Sequence, residues 1–496
     1  MPQQTILGVS AGFHDAAVAV IRNDKIDFAS HAERYSRVKN DKFLNSAILD
    51  EALDGQKNVD ILAYYENPYV KWLRMWLVGQ KPVFNSAQTI AADFSLSAKR
   101  YANFSHHKSH AAAGFQTSIF DSAIVVVIDA IGEWDTASVW YATYNKHGEA
   151  KYQKLWHLQY PNSIGLFYSA VTQKVGLKPN EDEYILMGMA AYGVADPNFK
   201  HQFFNGLKSR HNLHIGMPDG ILADGVSDFD LAASAQDAIE AKLSKIFAIA
   251  EYFAAKVKTQ NLVYMGGVAL NCSANSAVIH KGLWRDVWIM PSPGDAGSAL
   301  GAAALAYKKR LIWPGPYLGH AIGHKYPVDA IVKELIQNQI VGVAAGRAEF
   351  GPRSLGNRSL LADPRGLDTK DRVNEIKQRQ KFRPFAPVIL EEYADQYFDM
   401  RPAIRGKSLY MQFTVPCRTP ELFPAIAHAD GTSRIQTVGK RCPYGIRKVL
   451  EKWHAATGCP MLLNTSLNVK GDPIVNTVYD ARLFEETYGV KVCLGQ

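Results

Sequence analysis

The strongest constraint on the fold is a pattern that occurs twice. Residues 5–37 read TILGVSAGFHDAAVAVIRNDKIDFASHAERYSR. An apolar strand meets a Gly-rich turn bearing His14 and Asp15, a second apolar strand follows at once, and the turn at NDK leads into a third. Residues 122–150 read SAIVVVIDAIGEWDTASVWYATYNKHGEA and repeat the plan, with Asp129 and Gly132 in the first turn. Two copies of one supersecondary unit predict a duplicated α/β fold with a cleft. Two more Gly-rich turns, in NLVYMGGVALNCSANSAV and MPSPGDAGSALGAAALAY, each precede a helix. One such turn is usually only a turn. Four in this order, offering backbone amides and helix N-termini, suit an anionic ligand, and polyphosphate is the natural one.

Between the repeats stands FSHHKSHAAAGF, residues 104–115. On a helix, His106 and His110 share a face and can reach one ion. The span lacks the glutamate of an HExxH zinc peptidase, so that chemistry loses its base. Spacing alone leaves two readings open, a metal site or histidines that bind neighbouring backbone groups. Asp129 and Asp295 both follow buried strands in turns, where a carboxylate can be aimed into a cleft. Imidazole with hard oxygen ligands suits Fe, Mn or Zn.

From about residue 313 the character changes. WPGPYLGHAIGH reads as a linker, and 319–496 as a separate unit. That last third holds 25 Lys/Arg against 18 Asp/Glu, a net +7, whereas residues 1–318 hold 30 against 29, a net +1. Residues 347–383 alone carry ten Lys/Arg and five Asp/Glu, several beside Gly or Pro. Lys377, Arg379 and Arg383 flank RPFAP, where prolines on either side of Phe385 stiffen the loop. Arginine forks suit phosphate or carboxylate, and Ser466 in NTSLN offers a further donor. A basic unit of this kind serves nucleic acid, a small polyanion, or solvent alone. No apolar run reaches the length of a membrane span and the N-terminus lacks a basic leader, so no membrane role is expected. Five unpaired-looking cysteines suit a cytoplasmic protein.

In order, GFHDAAVAVI, AERYSRVK, HHKSHAAAGF, DAIGEWDT, LMGMAAYG, GGVALNC, PSPGDAG, EFGPRSLGNRSLLADPR, IKQRQKFRPFAP, SRIQTV and NTSLNVKGDPIV resemble the O-carbamoyltransferases of the NodU/CmcH/TobZ type. The resemblance implies an actin/hexokinase-type, TsaD-like domain over 1–318 and a YrdC-like α/β domain over 319–496. It implies that carbamoyl phosphate and ATP form carbamoyl adenylate in the second domain, and that an acceptor hydroxyl attacks the adenylate in the first. It places Arg353, Lys377, Arg383, Arg434 and Ser466 around carbamoyl phosphate and ATP, with Mg as a companion of ATP. In the first domain it places His106, His110, Asp129 and Asp295 on a divalent metal, Fe(II), that holds the adenylate. Gly165, Gly267 and Asn271 then contact the nucleotide. His14, seated by Asp15, is expected to take the proton of the acceptor hydroxyl.

The acceptors this implies are a hydroxymethylated cytosine in DNA, or a hydroxyl of an antibiotic or saccharide. A non-catalytic nucleotide-binding module is the reading from another class. The family pattern has lysine where this chain has Ile185, so that lysine's role is absent or moved. Loops around 200–235 read as short, which implies an open acceptor pocket.

Overall fold

The computed structural model describes residues 4–79, 81–199, 213, 216–217, 225–279, 282–403, 406–440, 442 and 445–496. The chain divides into two compact units. The first comprises Met1–Ser36, Asn40–Ala274 and Lys281–Gly315; the second Arg37–Lys39, Asn275–His280 and Pro316–Gln496.

The first unit contains the duplication. Strands β1 (Thr5–Ser10), β2 (Ala17–Arg22) and β3 (Lys25–His31) form an antiparallel meander, and β4 (Asn58–Tyr64) and β5 (Ser97–Asn103) add to it in parallel. The sheet order is β3-β2-β1-β4-β5. Strands β6 (Ser122–Gly132), β7 (Asp135–Tyr144) and β8 (Ala150–Gln159) form the second meander, joined in parallel by β9 (Asn261–Met265) and β10 (Asp286–Trp288). Its order, β10-β9-β6-β7-β8, is the same plan moved on by five strands. Nearly continuous apolar runs in β1, β2 and β6 reflect burial on both faces.

Two helices pack between the sheets, His106–Thr117 and Asp295–Tyr307. Both are buried along almost their whole length, which their runs of Ala permit. Their close approach depends on Gly301: a Cβ there would sit 1.8 Å from the Ser109 carbonyl oxygen. The third and fourth Gly-rich turns lead, as the sequence indicates, into helices Cys272–Val278 and Asp295–Tyr307. Most of the loops expected around 200–235 fall outside the described residues, and from Asp228 the chain is a 30-residue helix to Val257.

The second unit centres on a six-stranded mixed sheet of order β18-β15-β19-β14-β12-β20. These are Gln436–Val438, Ala386–Leu390, Met461–Ser466, Arg358–Ala362, Ile340–Ala344 and Val492–Leu494. Helices Val328–Asn338, Gly445–Thr457 and Val478–Tyr488 accompany it, and β16 (Thr414–Pro416) pairs with β17 (Thr432–Arg434). The stretch expected as a linker is partly a strand. β11 (Tyr317–Ile322) pairs antiparallel with β13 (Gly346–Glu349), because Leu318 and Ile322 find a buried face there. Among the described residues no helix is long and apolar enough to cross a membrane.

Candidate metal centre and anion site

Four side chains far apart in sequence meet in the first unit. His106 and His110 come from the first and second turns of their helix, Asp129 from the C-terminal part of β6, and Asp295 from the N-terminus of helix Asp295–Tyr307. One ligand atom from each lies within 4.8 Å of all the others, and all four residues are buried. His110 Nε2 is 3.1 Å from His106 Nε2, 3.0 Å from Asp129 Oδ2 and 3.2 Å from Asp295 Oδ1. His106 Nε2 is 3.4 Å from Asp129 Oδ2 and 3.2 Å from Asp295 Oδ1.

The far sides of the rings explain what this cluster can hold. His110 Nδ1 lies 3.1 Å from the Pro293 carbonyl oxygen, to which it can only donate, so its Nε2 carries the lone pair when the ring is neutral. His106 Nδ1 faces Glu66 Oε1 at 3.7 Å. Two imidazole lone pairs and two carboxylate oxygens about 3 Å apart are mutually repulsive unless a cation or protons lie among them. Such spacing fits ligands roughly 2.1 Å from one centre. The donor set, two nitrogens and two hard oxygens, therefore fits a divalent metal. Without one, protons serve. Burial alone would push His106 down, but Asp295, Asp129 and Glu66 hold it well above the ordinary imidazole range. Despite their burial, Asp129 and Asp295 stay far below the usual carboxylate range because both histidines face them.

His14 joins this cluster from the other repeat. Its Nε2 is 3.7 Å from Asp295 Oδ2, and its Nδ1 is 3.2 Å from Asp15 Oδ2. Burial opposes its protonation, yet Asp295, Asp15 and Asp129 raise it to about 9. His107 points elsewhere: its Nδ1 bonds Ser138 Oγ at 2.7 Å.

The expected nucleotide contacts divide. Gly267 stands against the cluster, since a Cβ on it would lie 3.2 Å from Asp129 Oδ1. Gly165 packs on the backbone of Asp129 and Ala130, where a Cβ would come within 2.7 Å. Asn271 has its amide committed to protein groups. Its Nδ2 donates to Gln236 Oε1 at 3.0 Å, and its Oδ1 accepts from Gln236 Nε2 and from the Ala274 N–H. Ile185 is buried in helix Glu183–Met189, so that position offers no cation.

In the second unit, Lys377 and Ser466 meet. Lys377 caps helix Thr369–Ile376 and is buried, and its Nζ donates to Ser466 O, Ser466 Oγ, Asn468 O and Asn468 Oδ1. Burial, with the charges of Arg379 and Arg383, holds it well below the ordinary lysine range. Arg379 stacks on Phe385, 4.3 Å from the ring centre, and Arg383 is buried. Arg353 lies between β13 and β14, and Arg434 ends β17.

Three supporting residues escape a sequence reading, and a fourth, Gly132, is legible there only as a turn glycine. Glu66 follows β4 as Asp129 ends β6, so the rule that flags Asp129 would have found it. Glu133 accepts the backbone N–H groups of Asn67 and His106, serving as a cap for the ligand helix, whose own Ser105 makes none. Gly132 supports the His106 ring. Arg358 is fully buried and donates to the carbonyls of Asn476, Ala345, Gly346, Asn357 and His320.

Comparison with known proteins identifies the assembly. Residues 84–304 match the family model for the carbamoyltransferase N-terminus, and 332–495 that for the carbamoyltransferase C-terminus. An uncharacterized protein of Synechocystis sp. is 32% identical, over 97% of this chain and 94% of its own. The nodulation protein NolNO of Sinorhizobium fredii is 30% identical, over 94% and 76%. The nodulation protein NolO of Bradyrhizobium diazoefficiens is 33% identical, over 76% and 75%. Two family models in order, with relatives alike over most of both lengths, make this chain a member of the carbamoyltransferase family.

Proposed function

We propose that the protein is an ATP-dependent O-carbamoyltransferase working in two stages. In the second unit water cleaves carbamoyl phosphate to carbamate and phosphate, and the carbamate oxygen then attacks the α-phosphorus of ATP, displacing pyrophosphate and giving carbamoyl adenylate. An acceptor hydroxyl then attacks the carbamoyl carbon in the first unit: the new O–C bond forms, the C–O bond to AMP breaks, and AMP leaves. The observation that carries this reading is the convergence of His106, His110, Asp129 and Asp295 beside His14.

His106, His110, Asp129 and Asp295 would hold a divalent cation, which when bound would supply fixed positive charge for an anionic ligand and would offset the carboxylates that keep a proton on His14. Asp15 seats the His14 ring through Nδ1, leaving Nε2 to take the proton of the attacking hydroxyl. Gly267 keeps a side chain out of the space next to Asp129, leaving room for a ligand. In the second unit Arg353, Arg383 and Arg434 set fixed charge against the phosphates, Lys377 regains its charge beside them, and Ser466 offers a hydroxyl donor. The charge division supports the same assignment, since the +7 lies in 319–496. With only +1 over 1–318, the acceptor side favours an uncharged small-molecule or saccharide hydroxyl over a hydroxymethylated base in DNA.

AMP release from ATP is the test, with and without carbamoyl phosphate, alongside a mass-spectrometric screen of acceptors for gain of one carbamoyl group. Release that ignores carbamoyl phosphate, or never occurs, ends the proposal. Lys377→Ala is expected to abolish adenylate formation yet allow transfer from supplied carbamoyl adenylate; His110→Ala is expected to do the reverse.

A further inference from the structure

Helix Pro68–Leu77 is built inside out. Its buried face carries Pro68, Lys71 and Arg74. Lys71 Nζ donates to Glu66 Oε2 at 2.6 Å, both groups buried. Its outward face carries Tyr69 (72% exposed), Trp72 (42%), Leu73 (46%), Trp76 (60%) and Leu77 (56%). That is the i, i+3, i+4, i+7, i+8 spacing by which a helix packs on an apolar neighbour. Exposed Val83 and Phe84 extend the stripe, and the Tyr69 and Phe84 rings meet edge-on at 5.2 Å. Between 67 and 79 the only charged residues are Lys71 and Arg74, both turned inward.

We infer that this face is the contact of a twofold homodimer, in which helix Pro68–Leu77 packs on its own copy. The area supports self-association. Seven side chains, each showing about 70–190 Å², present on the order of 800 Å², given that an aromatic side chain can bury 150–250 Å². That exceeds the usual patch on a monomer and equals one partner's share of a standard interface, about 800 Å². The composition fits as well. Tyr, Trp, Phe and Met concentrate at interface centres, where charged residues are scarce. A twofold contact sets a surface against itself, so exposed charge would face like charge; the helix face has none, and the exposed Lys81 stands outside the helix, two residues before Val83. A membrane-surface helix would instead hold Lys and Arg on an exposed polar face. The contact also reaches the metal cluster: Lys71 holds Glu66, and Glu66 Oε1 faces His106 Nδ1 at 3.7 Å.

Light scattering after gel filtration tests this without any substrate. At tens of micromolar the full chain should have twice its 54.9 kDa mass. On dilution the fluorescence should shift to the red as Trp72 and Trp76 meet water. Leu73→Lys with Trp76→Lys should weaken the dimer roughly a hundredfold or more with the circular dichroism unchanged. A wild-type mass of one chain with no dilution shift overturns the inference, as does a dimer that survives the double substitution. Sedimentation of a monomeric wild type with phosphatidylcholine vesicles overturns it in favour of a membrane. If the double variant fails to fold, the wild-type mass and dilution series decide alone.

Discussion

Gly132→Ala tests the metal centre without touching a ligand. A Cβ at Gly132 would lie 2.4 Å from His106 Cδ2, 2.6 Å from its Cγ and 2.8 Å from His107 Cδ2. Carbon atoms at rest stand about 3.5–4.0 Å apart, so the His106 ring must retreat by about 1 Å. A ligand shell tolerates about 0.5 Å. His107 cannot give way easily, since its Nδ1 holds Ser138 Oγ at 2.7 Å. The expected result is a loss of metal affinity of about 10–100-fold, the range seen when a ligand's support is removed, with about 1–3 kcal/mol of overpacking cost to the fold. Chelated protein is titrated with Fe(II), Mn(II) or Zn(II) by calorimetry and followed by melting temperature. Gly148→Ala is the control. Its backbone is left-handed at φ +73° and its Cβ meets nothing within 4 Å, so it costs stability without altering affinity. Equal affinity in Gly132→Ala and wild type would refute the argument, and so would a wild type that binds none of the three metals.

Other perturbations have definite signs. Binding of inorganic phosphate beside Lys377 should restore the charge that burial suppresses, with proton uptake seen by calorimetry in two buffers of different ionisation enthalpy; no uptake contradicts it. Glu392, bonded to Arg447, has its carboxyl lowered to about 2. The stability it contributes is therefore complete above the ordinary glutamate value of 4.5 and lost as pH falls toward about 2; Arg447→Met should erase that dependence in acid unfolding curves. Arg358→Met removes five hydrogen bonds to carbonyls and should cost about 3–5 kcal/mol in urea unfolding. A loss under 1 kcal/mol would show those carbonyls to be satisfied otherwise.

The duplicated meander is legible because each copy is local: strand, turn and strand lie within about thirty residues, and periodicity carries them. The metal donors are legible as residue types in turns after strands. Their convergence is not, since Asp295 reaches His110 across 185 residues. Asn271 shows the opposite limit. Its motif points to a ligand, and nothing in the motif announces Gln236, 35 residues earlier, whose amide pairs with that of Asn271. The Pro/Gly-rich stretch that contains β11 looks like a linker because the partner strand, β13, begins more than twenty residues downstream. Helix Pro68–Leu77 has a clear apolar stripe, and periodicity cannot say that the stripe faces out.

The separation of Asp295 from the histidines also sets a clock on synthesis. At about 5–20 residues per second, roughly ten to forty seconds pass between the making of His110 and of Asp295. Through that interval the chain carries two imidazoles, joined by Asp129 once residue 129 is made, with no fourth donor. The helix that closes the pocket is also the one that packs through Gly301 against the histidine helix. Completion of the ion-binding set and consolidation of the core are thus one event, and the ribosome delivers its last component only after both sheets have been translated.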